Sequence, residues 1–398
     1  MRVLQINSVC GIRSTGRICT DIAERLKSKG HECKIAYGRE CVPEEYKKYA
    51  VRIGNEFDVK LHAFQSRIFD NTGFASKIAT SKFVKWIEEY NPDIIHLHNL
   101  HGYYINIDIL FDYLKESNKP VIWTLHDCWA FTGHCAYFDY AGCNKWKKSG
   151  CYQCPQKNKY PNSLFYDNSK TNYLKKRELF TSIKNLTLVT PSEWLANLVK
   201  DSFLCDYPIE IINNGINLDV FKFKQDGFRK RFNLSNKKII LGVSSAWGKR
   251  KGLYDFYKLA GMISNDFTIV LVGLEESQIK ENVNYNNIIC IPKTNNTSEL
   301  AEIYTASDVF VNPTYEDNYP TVNLEAQACG TPVITYKTGG SIESVPESNI
   351  VEKGDIKALF NLIKSADTRD LQIKNRMLFD SNKRYDEYIQ LYDRLSNL

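Results

Sequence analysis

The stretch TYEDNYPTVNLEAQACGTPVITYKTGGSIESV, residues 314–345, decides the fold. It reads as a strand end, a loop, a helix, a Gly-Thr-Pro turn, a short buried strand and a Gly-Gly loop. Pro and Gly mark the changes from one element to the next. Strand, helix and strand in that order form the repeating unit of a parallel sheet covered by helices. Asp317 and Glu325 span the loop and the helix. The helix N-terminus turns its N–H groups toward the loop, which suits an anion. A carboxylate nearby suits paired hydroxyls such as those of a ribose. Gly339 and Gly340 bring backbone amides close to a phosphate, because no Cβ intervenes.

The same alternation continues on both sides. KKIILGVSS (237–245), FTIVLVG (267–273), NIICIP (287–292) and VFVNP (309–313) read as strands. GLYDFYKLAGMI (252–263) and SELAEIYTASD (298–308) read as helices, with Ser298 as a cap. Upstream, RVLQIN (2–7), ECKIAYG (32–38), the end of FVKWIEEYNPDIIHLHN (83–99), PVIWTLHD (120–127) and LTLVTPS (186–192) form another strand series. The helix at 14–31 takes Thr15 as its cap and Gly30 as its stop. These are two Rossmann-like, doubly wound α/β halves with a cleft between them, where small molecules tend to bind. The Asn214-Gly215 turn places the boundary. The expected domains are 1–210, with a Cys-rich insertion at 128–160, then 211–370. The segment 368–395 reads as helical, and 371–398 is expected to be a helix packing back on the first domain.

At 398 residues, with 43% apolar and 25% charged, the chain supports two hydrophobic cores. The net charge of +6 is modest. Its basic runs, NKWKK (144–148) and KTNYLKKR (170–177), are solvated faces or sites of attraction for an anionic substrate or lipid headgroups. Residues 1–9 form a first strand rather than a leader, and no apolar run is long enough to span a bilayer. The expectation is a cytoplasmic chain with reduced thiols, peripheral at the inner face of the membrane. A zinc-ribbon nucleic-acid binder would need a stronger basic surface, so no nucleic acid is expected.

The 314–345 segment resembles the acidic-x7-acidic signature of retaining GT-B glycosyltransferases of family four. Here Asp317, preceded by Glu316, stands where Glu is commoner, and Glu325 is the second acid. PSEW (191–194), NNGINLDVF (213–221) and RKG (250–252) extend the resemblance over nearly the whole chain. HLHNLHGYY and TLHDCWAFTGHC are similar to a subgroup found in bacterial capsule and colanic-acid clusters. The resemblance implies that Glu325 binds the ribose of a nucleotide sugar. It implies that Asp317 holds the donor sugar with the N–H groups of Asn318 and Tyr319, and that Lys251 contacts the diphosphate. An Arg usual in the family is replaced by Ser245, so Arg250 or Lys249 supplies that charge. Gly16 and Arg17, in STGR (14–17), face the diphosphate and acceptor, and His126 lies near the donor sugar.

The resemblance further implies a retaining hexosyl transfer that needs no divalent metal, with a lipid-linked saccharide as acceptor. Fixed positive groups on the leaving phosphate then provide the main catalytic effect. A phosphorylase or a nucleotide-sugar epimerase on the same scaffold is the alternative.

Two clusters remain. His96, His98 and His101 read as hydrogen-bonded strand-end histidines rather than metal ligands, since no carboxylate or cysteine joins them in HLHNLH. Asp127 is a weak partner for His126, because adjacent strand residues point apart. Cys135, Cys143, Cys151 and Cys154 have the spacing C-x7-C-x7-C-x2-C. Four thiolates suit a structural zinc, with free thiols or an iron–sulfur cluster as alternatives. His134 and Cys128 are spare ligands. A closed metal would hold this excursion without a core of its own, leaving Trp146, Lys147 and Lys148 exposed.

Overall fold

The computed structural model describes residues 1–224, 227–281, 285–365 and 376–396. The chain forms two compact units, one of Met1–Ile212 with Tyr385–Leu398 and one of Asn213–Arg384.

The first unit is built on a seven-stranded sheet. Its strands are β1 (Arg2–Ile6), β2 (Glu32–Tyr37), β3 (Ala50–Arg52), β4 (Ile94–Leu97), β5 (Val121–Thr124), β6 (Leu186–Thr190) and β7 (Ile209–Ile211). They are parallel, in the order β3-β2-β1-β4-β5-β6-β7. The order reverses between β1 and β4, and ligands of open α/β sheets bind at the carboxyl ends flanking such a switch. Strands β4, β5 and β6 are buried on both faces, so they read as apolar runs rather than alternating ones.

The second unit repeats the plan with β8 (Lys238–Val243), β9 (Phe267–Val272), β10 (Ile288–Ile291), β11 (Val309–Asn312), β12 (Val333–Tyr336) and β13 (Ile350–Val351). Its order is β10-β9-β8-β11-β12-β13, with the switch between β8 and β11. The expected doubly wound architecture is present in both units. The short edge strands β3, β7 and β13 carry too few apolar residues to stand out in the sequence.

Several local expectations need correction. The first helix, Arg13–Ser28, starts before Thr15, which lies inside it. Asn296, not Ser298, caps the helix Thr297–Ala306 by accepting from Glu299 N at 2.9 Å. The C-terminal helical segment is not continuous. Residues 366–375 lie outside the described residues, Arg376–Phe379 form a 3-10 turn, and the helix runs over Ser381–Ser396.

That last helix packs on the first unit, as expected. Tyr385, Tyr388, Ile389, Leu391 and Tyr392 share a core with Ile22, Leu26, Ile94 and Ile122. Tyrosine suits this face because the sheet and the first helix present polar groups there. Tyr392 Oη meets His96 Nδ1 at 2.7 Å, Tyr388 Oη meets Thr124 Oγ1 at 3.1 Å, and Tyr385 Oη donates to Asp21 Oδ2 at 2.9 Å. Asp386 adds a two-pronged pair to Arg25 at 2.8 and 2.6 Å. Ile389 and Leu391, fully buried, each contribute on the order of 1.5–3 kcal/mol.

Candidate active site

In the second unit, three chain segments converge at the carboxyl end of the sheet. The first is the 3-10 turn Lys249–Lys251, held open by Gly252 at φ +72°. A Cβ on Gly252 would strike the Pro313 carbonyl at 2.2 Å, so this turn abuts the strand β11 exit. The second is the loop 313–320. Tyr315 N donates to Arg250 O at 2.8 Å, and Arg250 Nη1 donates to Glu316 O at 3.1 Å. The third is the turn Gly339–Ser344, whose Gly340 N donates to Asp317 O at 3.3 Å.

Lys251 Nζ and Asp317 Oδ2 are paired at 2.5 Å, with both side chains largely buried. Asn318 N donates to Asp317 Oδ1 at 3.1 Å. Lys251, Arg250, Asp317, Asn318 and Gly340 are thus brought together, with Gly339 adjoining. Tyr319 is buried and its carbonyl accepts from Asn214 Nδ2 at 3.0 Å. Glu325 stands on the helix Thr321–Ala328 and accepts from the buried Tyr304 hydroxyl at 3.1 Å. Burial, then the carboxylate charge, holds the Tyr304 pKa well above its usual value, so it donates at neutral pH.

The sequence reading missed the frame beneath this cluster. Asn323 joins Asn312 Nδ2 at 2.9 Å to Ser341 Oγ at 3.1 Å and Ser344 Oγ at 2.9 Å. Gln327 Nε2 donates to Ser344 O at 2.7 Å. The helix therefore fixes the Gly-Gly turn through buried amides. Asn323 and Gln327 face the same side of a short helix, which is the signal a reader could have used.

In the first unit, Gly16 is buried near the start of the first helix. A Cβ there would meet Val9 Cγ2 at 3.0 Å and Gly11 N at 3.3 Å. Glycine thus lets the loop after β1 fold onto the helix start, where Gly11 N donates to Gly16 O at 3.1 Å. Arg17 is exposed beside it. Asp21, one turn on, has its pKa raised to about 6 by burial, opposed by the Tyr385 hydrogen bond and by Arg17.

His126 follows β5 and belongs to a chain of histidines. Its Nε2 meets His98 Nδ1 at 3.0 Å, and His98 Nε2 meets Gln5 Oε1 at 3.1 Å. Gln5 Nε2 donates to Cys19 O at 2.8 Å, which leaves its Oε1 as acceptor. His98 therefore donates from Nε2 and, being neutral, accepts at Nδ1. His126 must carry its proton on Nε2. Burial pushes the His126 pKa down to about 4 and the His98 pKa well below the usual value. Both rings are neutral at pH 7. Asp127 pairs instead with His101 Nε2 at 2.8 Å. Near these strand ends a small cavity is lined by His98, His101, His126, Asp127, Trp123 and Trp129.

The cysteine-rich segment departs from expectation. All twelve cysteines are free thiols. Among the described residues, no three His, Cys, Asp or Glu side chains are arranged to hold a metal ion, so the four-thiolate set is not assembled. Cys135 and Cys154 are in hydrogen-bond contact, which raises the Cys135 pKa and lowers that of Cys154. Cys151 accepts from Gly133 N at 3.2 Å. Cys143 is half-buried and, like Cys151 and Cys154, packs against the core of the first unit.

Nor does the segment lack a core. Trp146 is fully buried, not exposed, and packs between Phe131 and Phe138 at 5.0 and 4.8 Å. Lys147 is exposed and pairs with Asp201; the side chain of Lys148 lies outside the described residues. Two buried polar anchors hold the segment. Lys176 Nζ donates to Trp129 O at 2.9 Å and Thr132 O at 3.0 Å, and burial lowers its pKa to about 7. His134 Nδ1 meets Asp70 Oδ1 at 2.5 Å. Burial opposes a proton on His134, but the hydrogen bond and charge of Asp70 together outweigh it and raise the pKa. Asp70 was missed because it is far off in sequence.

Each sheet thus has a switch point, and the second carries a Lys–Asp pair and a Gly-Gly turn at its carboxyl end. Residues 15–220 match the model of Glycosyltransferase Family 4, and residues 224–390 that of glycosyl transferases group 1. The first match spans more than half of the chain, and the chain belongs to Glycosyltransferase Family 4.

It is 23% identical to WcaC of Escherichia coli (strain K12), named for colanic acid biosynthesis glycosyl transfer, over 99% of this chain and 100% of that one. It is 28% identical to the N,N'-diacetylbacillosaminyl-diphospho-undecaprenol alpha-1,3-N-acetylgalactosaminyltransferase of Campylobacter jejuni subsp. jejuni serotype O:2, over 51% of this chain and 58% of that one. The structure of Anabaena Alr3699/HepE in complex with UDP superposes with a TM-score of 0.68 at 15% identity, covering 100% of both chains. At that identity the likeness is one of fold.

Proposed function

We propose that this glycosyltransferase moves a hexose, with retention, from a nucleotide-diphosphate sugar to a saccharide acceptor carried on a lipid, in surface or exopolysaccharide synthesis. The observation that carries the reading is the convergence of Lys251, Asp317, Asn318 and Gly340, with Glu325, held by Tyr304, on the helix that follows this loop. The relatives named for colanic acid and for a diphospho-undecaprenol acceptor support the acceptor class, and the UDP complex supports a nucleotide donor.

In this reading Glu325 accepts from the ribose hydroxyls. The diphosphate takes the Lys251 ammonium from Asp317, which frees Asp317 to accept from sugar hydroxyls alongside the N–H groups of Asn318 and Tyr319. Gly339 and Gly340 offer amides to the phosphate, and Arg250 holds the loop. As the anomeric bond breaks, charge grows on the leaving phosphate, where Lys251 and the amides stabilise it. Gly16 and Arg17 serve the diphosphate and acceptor, and neutral His126 serves the donor sugar. No divalent metal takes part. The test is a panel of nucleotide sugars, with NMR of the product anomer. Release of nucleoside diphosphate with the donor configuration kept is expected. No response to any UDP-, GDP-, ADP- or dTDP-sugar overturns the reading, and a requirement for inorganic phosphate would make the chain a phosphorylase.

A structural zinc in the cysteine-rich segment is part of this proposal, on a revised donor set. The C-x2-C pair Cys151 and Cys154, together with Cys135, supplies thiolates. His134 Nε2 is buried without a hydrogen-bond partner while its Nδ1 is held by Asp70, the arrangement of a metal-binding imidazole with an outer carboxylate. The thiols must turn to meet the ion. One zinc per chain in untagged protein, and a lower Tm with chelator, are expected. Metal-free protein of equal stability rules zinc out.

A further inference from the structure

A strained residue lies on each of the three connections that leave β1, β2 and β4, beside the switch point of the first sheet. Arg13, Glu40 and Tyr103 hold φ angles of +56°, +66° and +68°, the left-handed region that side chains other than glycine seldom adopt. Strain of this kind costs about 1–3 kcal/mol per residue and clusters where ligands bind. Arg13 and Glu40 are tied to each other at 2.6 Å. Tyr103 is buried, and the Arg39 guanidinium lies over its ring, with Cζ 5.9 Å from the ring centre.

Arg39 is half-buried, and among the described residues its side chain makes no hydrogen bond and no ion pair. The acids around it are committed elsewhere: Glu40 to Arg13, Glu56 to Arg52, and Asp127 to His101. A guanidinium stacked on a ring, with its N–H fork unmatched, is set to receive an anion. Tyr160 stands beside it, with ring centres 6.2 Å apart between Tyr103 and Tyr160. The Tyr160 ring is 45% exposed, but its hydroxyl is turned inward. His101 Nδ1 meets that hydroxyl at 2.9 Å, while His101 Nε2 donates to Asp127 Oδ2 at 2.8 Å. Burial holds the Tyr160 pKa above its usual value, and the nearby Arg39 charge opposes the shift. A ring fixed by its hydroxyl and open on its surface is a rigid platform for the apolar face of a pyranose. His101 and Asp127, which hold it, also line the cavity beside His126.

We propose that Arg39 and Tyr160 form a subsite for the saccharide acceptor, one that takes a pyranose bearing an anionic group, phosphate or carboxylate. The sugar stacks on the Tyr160 ring, and the anion accepts from the Arg39 N–H groups. Stacking supplies affinity and the guanidinium supplies selectivity. Arg39 is then a specificity-determining residue, because a neutral sugar leaves its charge unmatched. Calling the ligand an acceptor rests on the transfer reaction proposed above; the binding of an anionic sugar does not.

The test is titration of the full chain, followed by saturation-transfer difference NMR, with methyl α-glucopyranoside, glucose 1-phosphate and the methyl glycoside of glucuronic acid. An anionic probe is expected to bind about tenfold or more tightly than the neutral one, the effect of one charged hydrogen bond. Preference for the phosphate marks an acceptor joined through phosphate, and preference for the glucuronide marks an acidic saccharide. Arg39→Gln should bring anionic binding down to the neutral level. Tyr160→Ala should weaken all probes by about fivefold, and Tyr160→Phe, which keeps the ring, by less. Near-UV circular dichroism and Tm check that each variant is folded. The anionic preference should persist in Lys251→Ala, which separates it from the cluster in the second unit. In transfer assays Arg39→Gln should raise the acceptor KM and leave the donor KM unchanged. No binding by any probe, equal binding of neutral and anionic probes, a preference that survives in folded Arg39→Gln, or one that vanishes in Lys251→Ala overturns the proposal. A chain that shows the preference but responds to no nucleotide sugar defeats the transferase reading and leaves the subsite standing. Transfer without an Arg39-dependent preference defeats only the subsite.

Discussion

The segments 314–345 and 134–155 are both loop-rich and both carry residues singled out for chemistry. They differ in where their partners come from. In 314–345, Asp317, Asn323, Gly340 and Ser341 bond largely to one another or to the 249–251 turn of the same sheet. In 134–155, the anchors arrive from residues remote in sequence: Asp70 on His134, with Lys176 on the adjoining Trp129 and Thr132 carbonyls. One segment is a cluster that its own sequence largely specifies. The other is a structure that the surrounding unit holds in place.

That contrast yields four predictions. The largest effect should be on stability in the first unit. Asp70→Ala leaves His134 and Asn168 N without their acceptor, which costs about 3–5 kcal/mol for a buried pair losing one member. A fall in Tm of about 10 °C is expected by calorimetry, with donor affinity retained. A change under 2 °C, by the same scaling, would mean that the segment is held by something else.

Glu325→Ala should do the reverse. Loss of a charged hydrogen bond to the proposed ribose costs roughly 1.5–3 kcal/mol, or about 10–100-fold in donor affinity, with a smaller fall in Tm because the buried Tyr304 hydroxyl loses its acceptor. Titration calorimetry with the donor found in the panel decides it, and undiminished affinity removes Glu325 from the site.

The third effect is acid sensitivity. All seven histidines lie in the first unit. Burial holds His62 and His96 down to about 3, His98 lower than its usual value, and His126 down to about 4. Unfolded, each protonates near pH ~6.5. The unfolded chain therefore binds more protons below that pH. The stability these four histidines contribute is full above pH ~6.5 and falls toward pH 4, by up to about 1.4 kcal/mol per pH unit per histidine, and Asp21, raised to about 6, offsets part of that fall below pH 6. Thermal melts between neutral and mildly acidic pH should show its transition falling ahead of that of the second unit. Parallel shifts of both would refute this.

The smallest effect is the sharpest on the metal. Cys143→Ser should cost about 1 kcal/mol or less and leave zinc content unchanged, whereas Cys154→Ser should abolish it. Loss of zinc in the Cys143 variant would restore the four-cysteine set.

Much of the candidate site in the second unit was legible in the sequence. A Gly-Gly turn, an acid before a helix and a Lys before a Gly are local signals whose geometry follows from a few consecutive residues. The capping box Asn55–Asp58 at the start of the helix Glu56–Phe69 was equally local, though it was overlooked. In the cysteine-rich segment, spacing fixes which cysteines are near in the chain, not which thiols meet. Trp146 was misread as exposed because its basic neighbours suggested a surface, while its ring fills a gap between Phe131 and Phe138.

The sequence by itself determined the alternation of strand and helix and the two doubly wound halves, because each depends on apolar periodicity and turn chemistry within a short window, and it carried the acidic-x7-acidic segment as a family resemblance. Only the tertiary structure decided the tautomer of His126, the pairing of Asp70 with His134, and the hold of His101 on the Tyr160 hydroxyl. Each of these depends on satisfying a buried polar group, and a buried imidazole or carboxylate takes its partner from whichever strand or loop the fold brings alongside.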